Sequence, residues 1–339
     1  MILPATFAAD CLTHSPDALA GKYNCHPRTI RRWKQELRHP KPAPTPVESA
    51  ASVEPTIVTI RPQVYRPRAY PGDKQPQTQV LLLSDAHAGS QTPTYNPEMF
   101  KTRLRTLYDD LTRIRSLQTR QHPLEELVIF SLGDNIQGEN VGIQMALDEF
   151  GMTVYDQVYK LWVPAMTEFL VNLLGQYRTI KWYGVKGNHG VQRDRRLASR
   201  SNNWDTIAQN SLASAMSKYG QMSFDIEPTE WYKLVEIRGW RYMLLHGDVV
   251  RTHTQPFSGL ERRTADWDIL FHPHVFCLGH FHQPGVIRPR ITPIVMNGTF
   301  KSDDAWAIGA IGKSGPPVQV TFGVHDDRAM TWMYFLDLA

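Results

Sequence analysis

The sequence predicts an α/β protein in which a layered domain follows a small all-α unit and a proline-rich linker. From residue 79 onward, short apolar runs typical of buried strands, such as 80–83 and 127–130, alternate with helical patterns. Upstream, residues 1–38 carry two short helical patterns, and residues 39–78 contain nine prolines, which favour an extended segment. The predicted boundaries are therefore 1–38, 39–78 and 79–339.

The composition excludes several classes of protein. Of the 339 residues, 42% are hydrophobic and 21% are charged, a globular balance that excludes disordered and fibrous chains. No apolar run reaches the roughly 18 residues of a membrane span, and no basic region followed by an apolar stretch opens the chain. Three scattered cysteines without CxxC spacing exclude a disulfide framework. We therefore expect a cytoplasmic protein with no membrane partner.

The net charge of +4 is unevenly distributed along the chain. Residues 1–79 hold 11 lysines and arginines against 6 acidic residues, whereas the rest of the chain holds 26 against 27. The basic surplus therefore lies in the first quarter of the chain. A local surplus of this kind favours a polyanionic partner, although a solvated basic face is the alternative.

Start and stop signals divide the amino-terminal unit into two helices. Ser15 and Pro16 are typical of a helix N-terminus, and Asn24 is typical of a left-handed helix end. The second helix begins at His26-Pro27, and its apolar residues recur at spacings of three and four. Basic residues occupy its opposite face.

The string ALAGKYNCHPRTIRRWKQEL resembles a homeodomain-like helix-turn-helix unit of the type found in phage and transposon proteins. In such units the second helix enters the major groove of DNA. The resemblance implies that DNA is contacted by Arg28, Thr29, Arg31, Arg32 and Lys34. The alternative is a helical hairpin that docks a protein through a solvated basic face.

Five short blocks rich in Asp, His and Asn occur in the larger domain, most of them directly after an apolar run. They read SDAH at 84–87, LGDN at 132–135, KGNHG at 186–190, LHGD at 245–248 and LGHFH at 278–282. Ligand sites in open α/β sheets lie at the carboxyl ends of strands, so these side chains are expected at such ends. Imidazole, carboxylate and amide ligands without thiolate suit Mn²⁺, Fe²⁺, Zn²⁺ or Ni²⁺.

In this order, the five blocks resemble those of the calcineurin-like metallophosphoesterase family over about residues 79–300. The resemblance implies a four-layer αββα sandwich and two divalent transition-metal ions, with manganese as the first expectation. Asp85, His87 and His282 would hold one ion, Asn188, His246 and His280 would hold the other, and Asp134 would bridge both. The implied reaction is phosphoester hydrolysis by a hydroxide that bridges ions about 3.5–4 Å apart.

The histidine of the third block has a separate role in the family. The resemblance implies that His189 is not a ligand but stabilises the transition state or protonates the leaving oxygen. Most members carry an acidic residue directly after this histidine, whereas this chain has Gly190. Asp194 or Asp205 would then substitute for that residue in orienting the imidazole.

The substrate is defined less narrowly by the sequence. Asn135, beside the bridging aspartate, and Arg193 and Arg195, beyond the third block, are candidates for binding a phosphate. The basic amino-terminal unit favours DNA as the substrate. The predicted function is thus that of a phage or prophage nuclease in the bacterial cytoplasm, similar to the nuclease subunit of double-strand-break repair complexes.

Two alternatives to a nuclease remain open from the sequence. The first is a phosphatase or cyclic-nucleotide phosphodiesterase acting on small phosphoesters, with the amino-terminal unit docking a protein. The second is a scaffold that uses the metals only for folding.

Two further segments complete the prediction. Aromatic and methionine residues between about 142 and 177 indicate helical core, with a cap or a homodimer face as the alternative. The late blocks 294–300, 317–324 and 331–338 alternate like strands. They are expected to form the second sheet of the sandwich.

Overall fold

In the computed structural model the chain divides into two compact units, Met1–Thr59 and Ile60–Ala339. The structure describes residues 10–11, 13–24, 26–38, 64–65, 74–139, 152–191, 201–250, 256–289, 291–302 and 316–339. Most of the predicted linker lies outside these residues. Among the helices within them, none combines the length and the hydropathy that a bilayer span requires.

The two predicted helices are present in the described part of the amino-terminal unit. Helix α1 spans Pro16–Lys22 and helix α2 spans Pro27–Arg38. The Ser15 hydroxyl caps α1 by accepting the N–H of Ala18, and Asn24 takes a φ of +46° between the helices. The small core of this unit consists of the buried residues Leu19, Ala20 and Ile30.

The larger unit alternates strands and helices along the chain. In order, it contains β1 (Thr78–Leu83), α3 (Pro97–Gln118), β2 (Glu126–Ser131), α4, β3 (Thr179–Gly184), α5 (Trp204–Met216), β4 (Met222–Ile226), β5 (Tyr232–Ile237), β6 (Trp240–Leu245), α6 (Pro256–Phe271), β7 (Val275–Leu278), β8 (Gly285–Ile287), β9 (Ile294–Met296), β10 (Val318–Val324) and β11 (Met333–Asp337). Helix α4 joins a short α-helical turn, Val154–Asp156, to a π-helical stretch, Gln157–Trp162, and a longer α-helical part, Val163–Leu173.

These strands form two sheets. The first has the order β11-β10-β1-β2-β3-β4, in which β1 to β4 are parallel, β10 is antiparallel to β1, and β11 is antiparallel to β10. The second has the order β5-β6-β7-β9-β8, with β6, β7 and β9 parallel. Because β1, β2 and β3 run in the same direction, the segments that follow them emerge at one edge of the first sheet.

Side chains alternate between the two faces of each strand, and this alternation builds four layers. On β1, Leu81 packs in the core formed with helices α3, α4 and α5, whereas Val80 packs in the core between the two sheets. On β6, Leu244 packs between the sheets and Leu245 packs against α6. The layers are therefore helices, sheet, sheet and helix, which confirms the predicted αββα sandwich.

The prediction that the late blocks build the second sheet is wrong for two of the three. Only the first block contributes to it, as β9, while β10 and β11 join the first sheet. Strand β10 pairs antiparallel with β1, from Thr78↔Val324 to Leu82↔Val320. Every residue of β10 is buried. Strand periodicity indicates that a segment forms a strand, but the neighbour is chosen by tertiary burial of both faces.

The segment rich in aromatic residues is helical core where the structure describes it. Val158, Trp162, Met166 and Phe169 of α4 are buried in the cluster against the first sheet. Tyr155 and Tyr159 are exceptions, with 60% and 41% of their surfaces exposed. The portion from 142 to 151 lies outside the described residues.

Candidate metal centre

All five blocks lie at the carboxyl ends of strands. The first three follow β1, β2 and β3 of the first sheet, and the last two follow β6 and β7 of the second. A contact between the sheets joins the two sets, because the N–H of His280 donates to Asp85 Oδ2 at 2.9 Å. The backbone of the second sheet therefore holds the carboxylate that the first sheet supplies.

One cluster consists of Asp85, His87 and His282. The Nε2 atoms of the two histidines lie 3.1 Å apart, and His282 Nε2 lies 3.3 Å from Asp85 Oδ1. One nitrogen or oxygen from each of the three residues falls within 4.8 Å of the others, so the cluster could hold a metal ion. These are the residues that the sequence prediction assigned to one ion.

A second cluster consists of Asp134, His246 and His280, with Asn188 beside it. His246 Nε2 lies 3.0 Å from Asp134 Oδ2 and 3.0 Å from Asn188 Oδ1, and His280 Nδ1 lies 3.2 Å from His246 Nε2. The other ring nitrogen of His246 is 2.7 Å from the carbonyl oxygen of Leu132. Since a carbonyl only accepts, Nδ1 donates there, and Nε2 is the nitrogen directed at the cluster.

Asp134 connects the clusters. It also forms a third group with His87 and His189, in which donor atoms again lie within 4.8 Å of one another. His87 and His189 pack edge to face with ring centroids 4.4 Å apart. The structure thus brings all seven predicted ligands together, with Asp134 between the two sets that the prediction proposed.

The electrostatics of these residues fit a divalent transition metal. Burial lowers the pKa of His87 well below its ordinary value, and its buried Nδ1 has no hydrogen-bond partner among the residues that the structure describes. Burial opposes protonation of His246 too, yet the Asp134 carboxylate raises its pKa to about 10. A bound cation would replace that proton as the partner of Asp134. Imidazole and carboxylate donors without thiolate match Mn, Fe, Zn or Ni.

Backbone conformation sets the predicted ligands apart from most of the chain. Five of them have φ between +44° and +72°, namely Asp85, His87, Asp134, His280 and His282. Side-chain-bearing residues rarely adopt this left-handed region, which costs of order 1–3 kcal/mol each where the surroundings impose it. The tight turns at the strand ends therefore direct these side chains toward the candidate metal centre, and the backbone there is locally strained.

Glycines beside the ligands allow the loops to approach one another. A Cβ atom at Gly187 would lie 2.1 Å from Asp134 Oδ1 and 2.4 Å from the Asp134 backbone nitrogen. No side-chain atom fits there without displacing the bridging carboxylate. The glycine before Asn188 is thus required by a close approach between the second and third blocks.

Replacing Gly187 by alanine is expected to destabilise the fold by about 1–3 kcal/mol and to weaken metal binding, because Asp134 must move. Thermal unfolding and titration calorimetry with Mn²⁺ measure the two effects. Gly220→Ala is the matched control, since a Cβ at Gly220 meets no atom of the described part of the chain within 4 Å. Equal behaviour of the two variants would contradict the close packing of Gly187 against Asp134.

His189 lies beside the clusters and is oriented by the main chain. Its Nδ1 is 3.1 Å from the carbonyl oxygen of Gln137, and its Nε2 is 3.9 Å from Asp134 Oδ2. Burial lowers its pKa, and the positive charge of Lys301 adds to that effect while Asp134 opposes it. The side chain is 16% exposed, so it is accessible from one side.

The prediction that Asp205 orients His189 is wrong. The Asp205 carboxylate is fully buried and accepts the backbone N–H groups of Asp134, Asn135 and Gly187 at 2.8–2.9 Å. Burial raises its pKa to about 6, assisted by the charge of Asp134. It holds the second and third blocks together, and its place in the first turn of α5 carries no sequence signal for that role. The other candidate, Asp194, lies outside the described residues.

The remaining predicted contact residues are distributed as follows. Asn135 is completely buried, and its Oδ1 accepts a hydrogen bond from Ser131 at 3.2 Å. Arg193 and Arg195 lie outside the described residues, as does the side chain of Arg32. On α2, the exposed residues are Arg28 and Arg31, and the half-buried ones are Thr29 and Lys34. Their roles in binding remain predictions.

Sequence reasoning missed a buried lysine near the clusters. Lys301 is 2% exposed, and its charge lowers the pKa of both His87 and His189 beyond the effect of burial. It follows β9 by a few residues and belongs to none of the five blocks. A cation at this place is suited to an anionic ligand.

Comparison with known proteins gives distant structural similarities alone. No protein-family model and no curated protein matches the chain. Among solved structures, the chain is similar to a predicted phosphoesterase from Streptococcus pneumoniae, with 10% identity, a TM-score of 0.33 and coverage of 77% of this chain and 98% of that chain. It is similar to Vacuolar Protein Sorting 29 from Cryptosporidium parvum, with 14% identity, a TM-score of 0.37 and the same coverages.

A third similarity is to a novel archaeal phosphodiesterase, with 11% identity, a TM-score of 0.37 and coverage of 76% of this chain and 99% of that chain. Identities of 10–14% with TM-scores of 0.33–0.37 say nothing about activity. Function has to be inferred from the residues of the site itself.

Proposed function

We propose that this chain is a calcineurin-like metallophosphoesterase that hydrolyses phosphodiester bonds of DNA. The observation that carries the proposal is the convergence of seven candidate ligands at the strand ends, next to His189. The seven are Asp85, His87, Asp134, Asn188, His246, His280 and His282. Two sets of three donors that share a neighbourhood with one aspartate suit a pair of divalent ions. When bound, such ions activate water and neutralise charge on a phosphate.

The protein residues have distinct tasks in the proposed reaction. Asp134 holds the two ligand sets in one place and accepts the N–H of His189 at 2.8 Å. His189 is partly exposed beside them and supplies a ring nitrogen to the substrate side, where it stabilises the transition state or protonates the leaving oxygen. Lys301 contributes positive charge near His87 and His189, which favours an anionic diester.

DNA as the substrate is supported by charge rather than by the metal centre. The surplus of basic residues lies in the first 79 residues, and Arg28 and Arg31 are exposed on α2. Tethering a DNA-binding unit to the larger domain would raise the local concentration of substrate at the site. A phage or prophage protein acting in a bacterial cytoplasm remains part of the proposal.

The experiment that tests the proposal is a hydrolysis assay in Mn²⁺. Single- and double-stranded DNA are compared with bis-p-nitrophenyl phosphate and a 2′,3′-cyclic nucleotide. Cleavage of DNA is expected. Hydrolysis of the small diesters alone would overturn the nuclease proposal in favour of a small-molecule phosphodiesterase, and no hydrolysis with any divalent metal would favour a metal-stabilised scaffold.

Deleting residues 1–40 is expected to weaken DNA binding at low salt and to leave hydrolysis of bis-p-nitrophenyl phosphate unchanged. The reason is that the deletion removes the basic helix α2, together with α1, but none of the candidate ligands. Electrophoretic mobility shift at two salt concentrations measures the affinity. Arg113→Ala, an exposed arginine on α3, is the control for a general loss of positive charge. An unchanged affinity after the deletion would contradict a DNA-binding role of α1 and α2.

A further inference from the structure

We propose that Gln157 is a positioning residue for His189, acting through the carbonyl group of Gln137. The inference rests on the proposed function, since it assigns the orientation of the histidine beside the candidate metal centre. In this chain a main-chain carbonyl contacts the imidazole and orients it. Three observations on the described residues support it.

The first observation is that Gly190 leaves no room for an acidic side chain after His189. A Cβ atom there would lie 2.3 Å from Asn203 Oδ1 and 2.8 Å from the backbone nitrogen of Asp205. Asn203 is held in place because its Nδ2 donates to the carbonyl oxygen of Gly187 at 3.0 Å. A carboxylate at position 190 is therefore excluded by packing, and His189 needs another partner.

The second observation is the partner that His189 has. Its Nδ1 lies 3.1 Å from the carbonyl oxygen of Gln137. A carbonyl oxygen has no proton to donate, so Nδ1 carries the hydrogen and Nε2 is the nitrogen left for the substrate. To protonate a leaving oxygen, Nε2 first takes up a proton from solvent and then passes it on, which returns the ring to the Nδ1–H form. The direction of the Gln137 carbonyl thus fixes both the tautomer and the plane of the ring.

The third observation is what holds that carbonyl. The side chain of Gln157 is completely buried, and its Oε1 accepts the N–H of Gly138 at 2.8 Å. Its Nε2 donates to the carbonyl oxygens of Met152 at 3.0 Å and Gly138 at 3.4 Å. Gln157 therefore fixes the peptide unit that joins Gln137 to Gly138, the unit whose carbonyl faces His189.

The surroundings of Gln157 leave its side chain little freedom. A Cβ at Gly89 would lie 2.4 Å from its Cγ atom, so the side chain is packed closely against the backbone at Gly89. Gln157 is also the first residue of the π-helical stretch of α4, a distortion that often accompanies functional sites. The π-helical turn places the amide of Gln157 against Gly138, in the loop whose Gln137 carbonyl contacts His189.

The test compares Gln157→Met with Gln79→Met. Gln79 is an equally buried glutamine whose side chain bonds Tyr177 and Thr321 in the sheet core, so its loss reports the general cost of removing a buried amide. In the metal-free protein, ¹⁵N NMR of labelled histidine reports the tautomer of His189, assigned by the signal missing in His189→Ala. We expect the Nδ1–H tautomer in the wild type and Gln79→Met, and a mixture in Gln157→Met.

The second readout depends on the leaving group. An aryl diester releases p-nitrophenolate, which needs no proton, whereas a thymidine dinucleotide releases an alkoxide that does. With Mn²⁺ bound, Gln157→Met is expected to lower kcat on the dinucleotide about 10-fold or more and to change kcat on bis-p-nitrophenyl phosphate far less. An equal loss on both substrates would indicate a purely structural role.

The outcomes separate the two proposals. If the wild type hydrolyses neither diester, the proposed function fails, while the NMR measurement still decides the role of Gln157. If Gln157→Met does not fold, Gln157→Asn provides the same test, because its amide is one methylene too short to reach Gly138. An unchanged His189 tautomer in a folded Gln157 variant overturns the inference.

Discussion

Replacing Asp134 by alanine is expected to abolish phosphodiester hydrolysis and to weaken binding of both metal ions. The carboxylate belongs to two of the three donor groups and lies 3.0 Å from His246 Nε2. Its other oxygen accepts the N–H of His189, so its loss also frees the loop that carries this histidine. Among the candidate ligands, Asp134 therefore combines the most roles in the site.

Titration calorimetry with Mn²⁺ measures the number of bound ions and their affinities, and the hydrolysis assay measures the rate. Asp225→Ala is the matched control, since Asp225 is an exposed aspartate on β4 that pairs with Lys233. A wild-type rate in Asp134→Ala would refute the assignment of the metal centre. Lost hydrolysis with two ions still bound at wild-type affinity would show that Asp134 acts in the reaction without holding either ion.

Replacing His189 by alanine is expected to preserve metal binding and to lower kcat roughly 10²–10⁴-fold. His189 is the one residue of the site that the prediction assigned to chemistry rather than to ligation. Its Nε2 stands 3.9 Å from Asp134 Oδ2, further than the 3.0 Å of His246 Nε2. The loss is expected to be largest for substrates with alkoxide leaving groups, because these require a proton.

The measurement for His189→Ala is steady-state kinetics on DNA and on bis-p-nitrophenyl phosphate, with calorimetry to confirm Mn²⁺ binding. His122→Ala is the control, because His122 precedes β2 and lies at the strand end opposite the site. If His189→Ala loses an ion, the histidine is a ligand instead. Together, Asp134→Ala and His189→Ala therefore distinguish a residue that holds metal from a residue that acts on the substrate.

Much of the site could be predicted from the sequence because its signals are local. Asp85 and His87 share one strand end, as do His280 and His282, and each pair follows an apolar run that becomes a buried strand. Residues two positions apart at one strand end lie close together whichever elements pack beside that strand. The four layers were implied by the resemblance that these blocks carry, and the structure confirms them, because side chains along β1 and β6 divide between two cores.

Other parts of the site have no local signal. The hydrogen bonds that Asp205 accepts from Asp134 and Asn135 join residues 71 and 70 positions apart in the chain, and Gln157 reaches Gly138 across a segment that no motif marks. The partner of His189 is a backbone carbonyl, a group that every residue carries, so no residue type at position 137 could have predicted it. Lys301 comes to lie near His87 only because β9 follows β7 in the second sheet.

By itself, then, the sequence determined which segments become strands, which side chains end them and which chemistry those side chains suit. The tertiary structure alone decided that β10 and β11 complete the first sheet, that Asp205 ties two loops together and that Gln137 orients His189. The physical reason is that periodicity and turn chemistry are encoded over a few residues. Strand neighbours and backbone partners are instead selected by burial and hydrogen bonding between segments far apart in the chain.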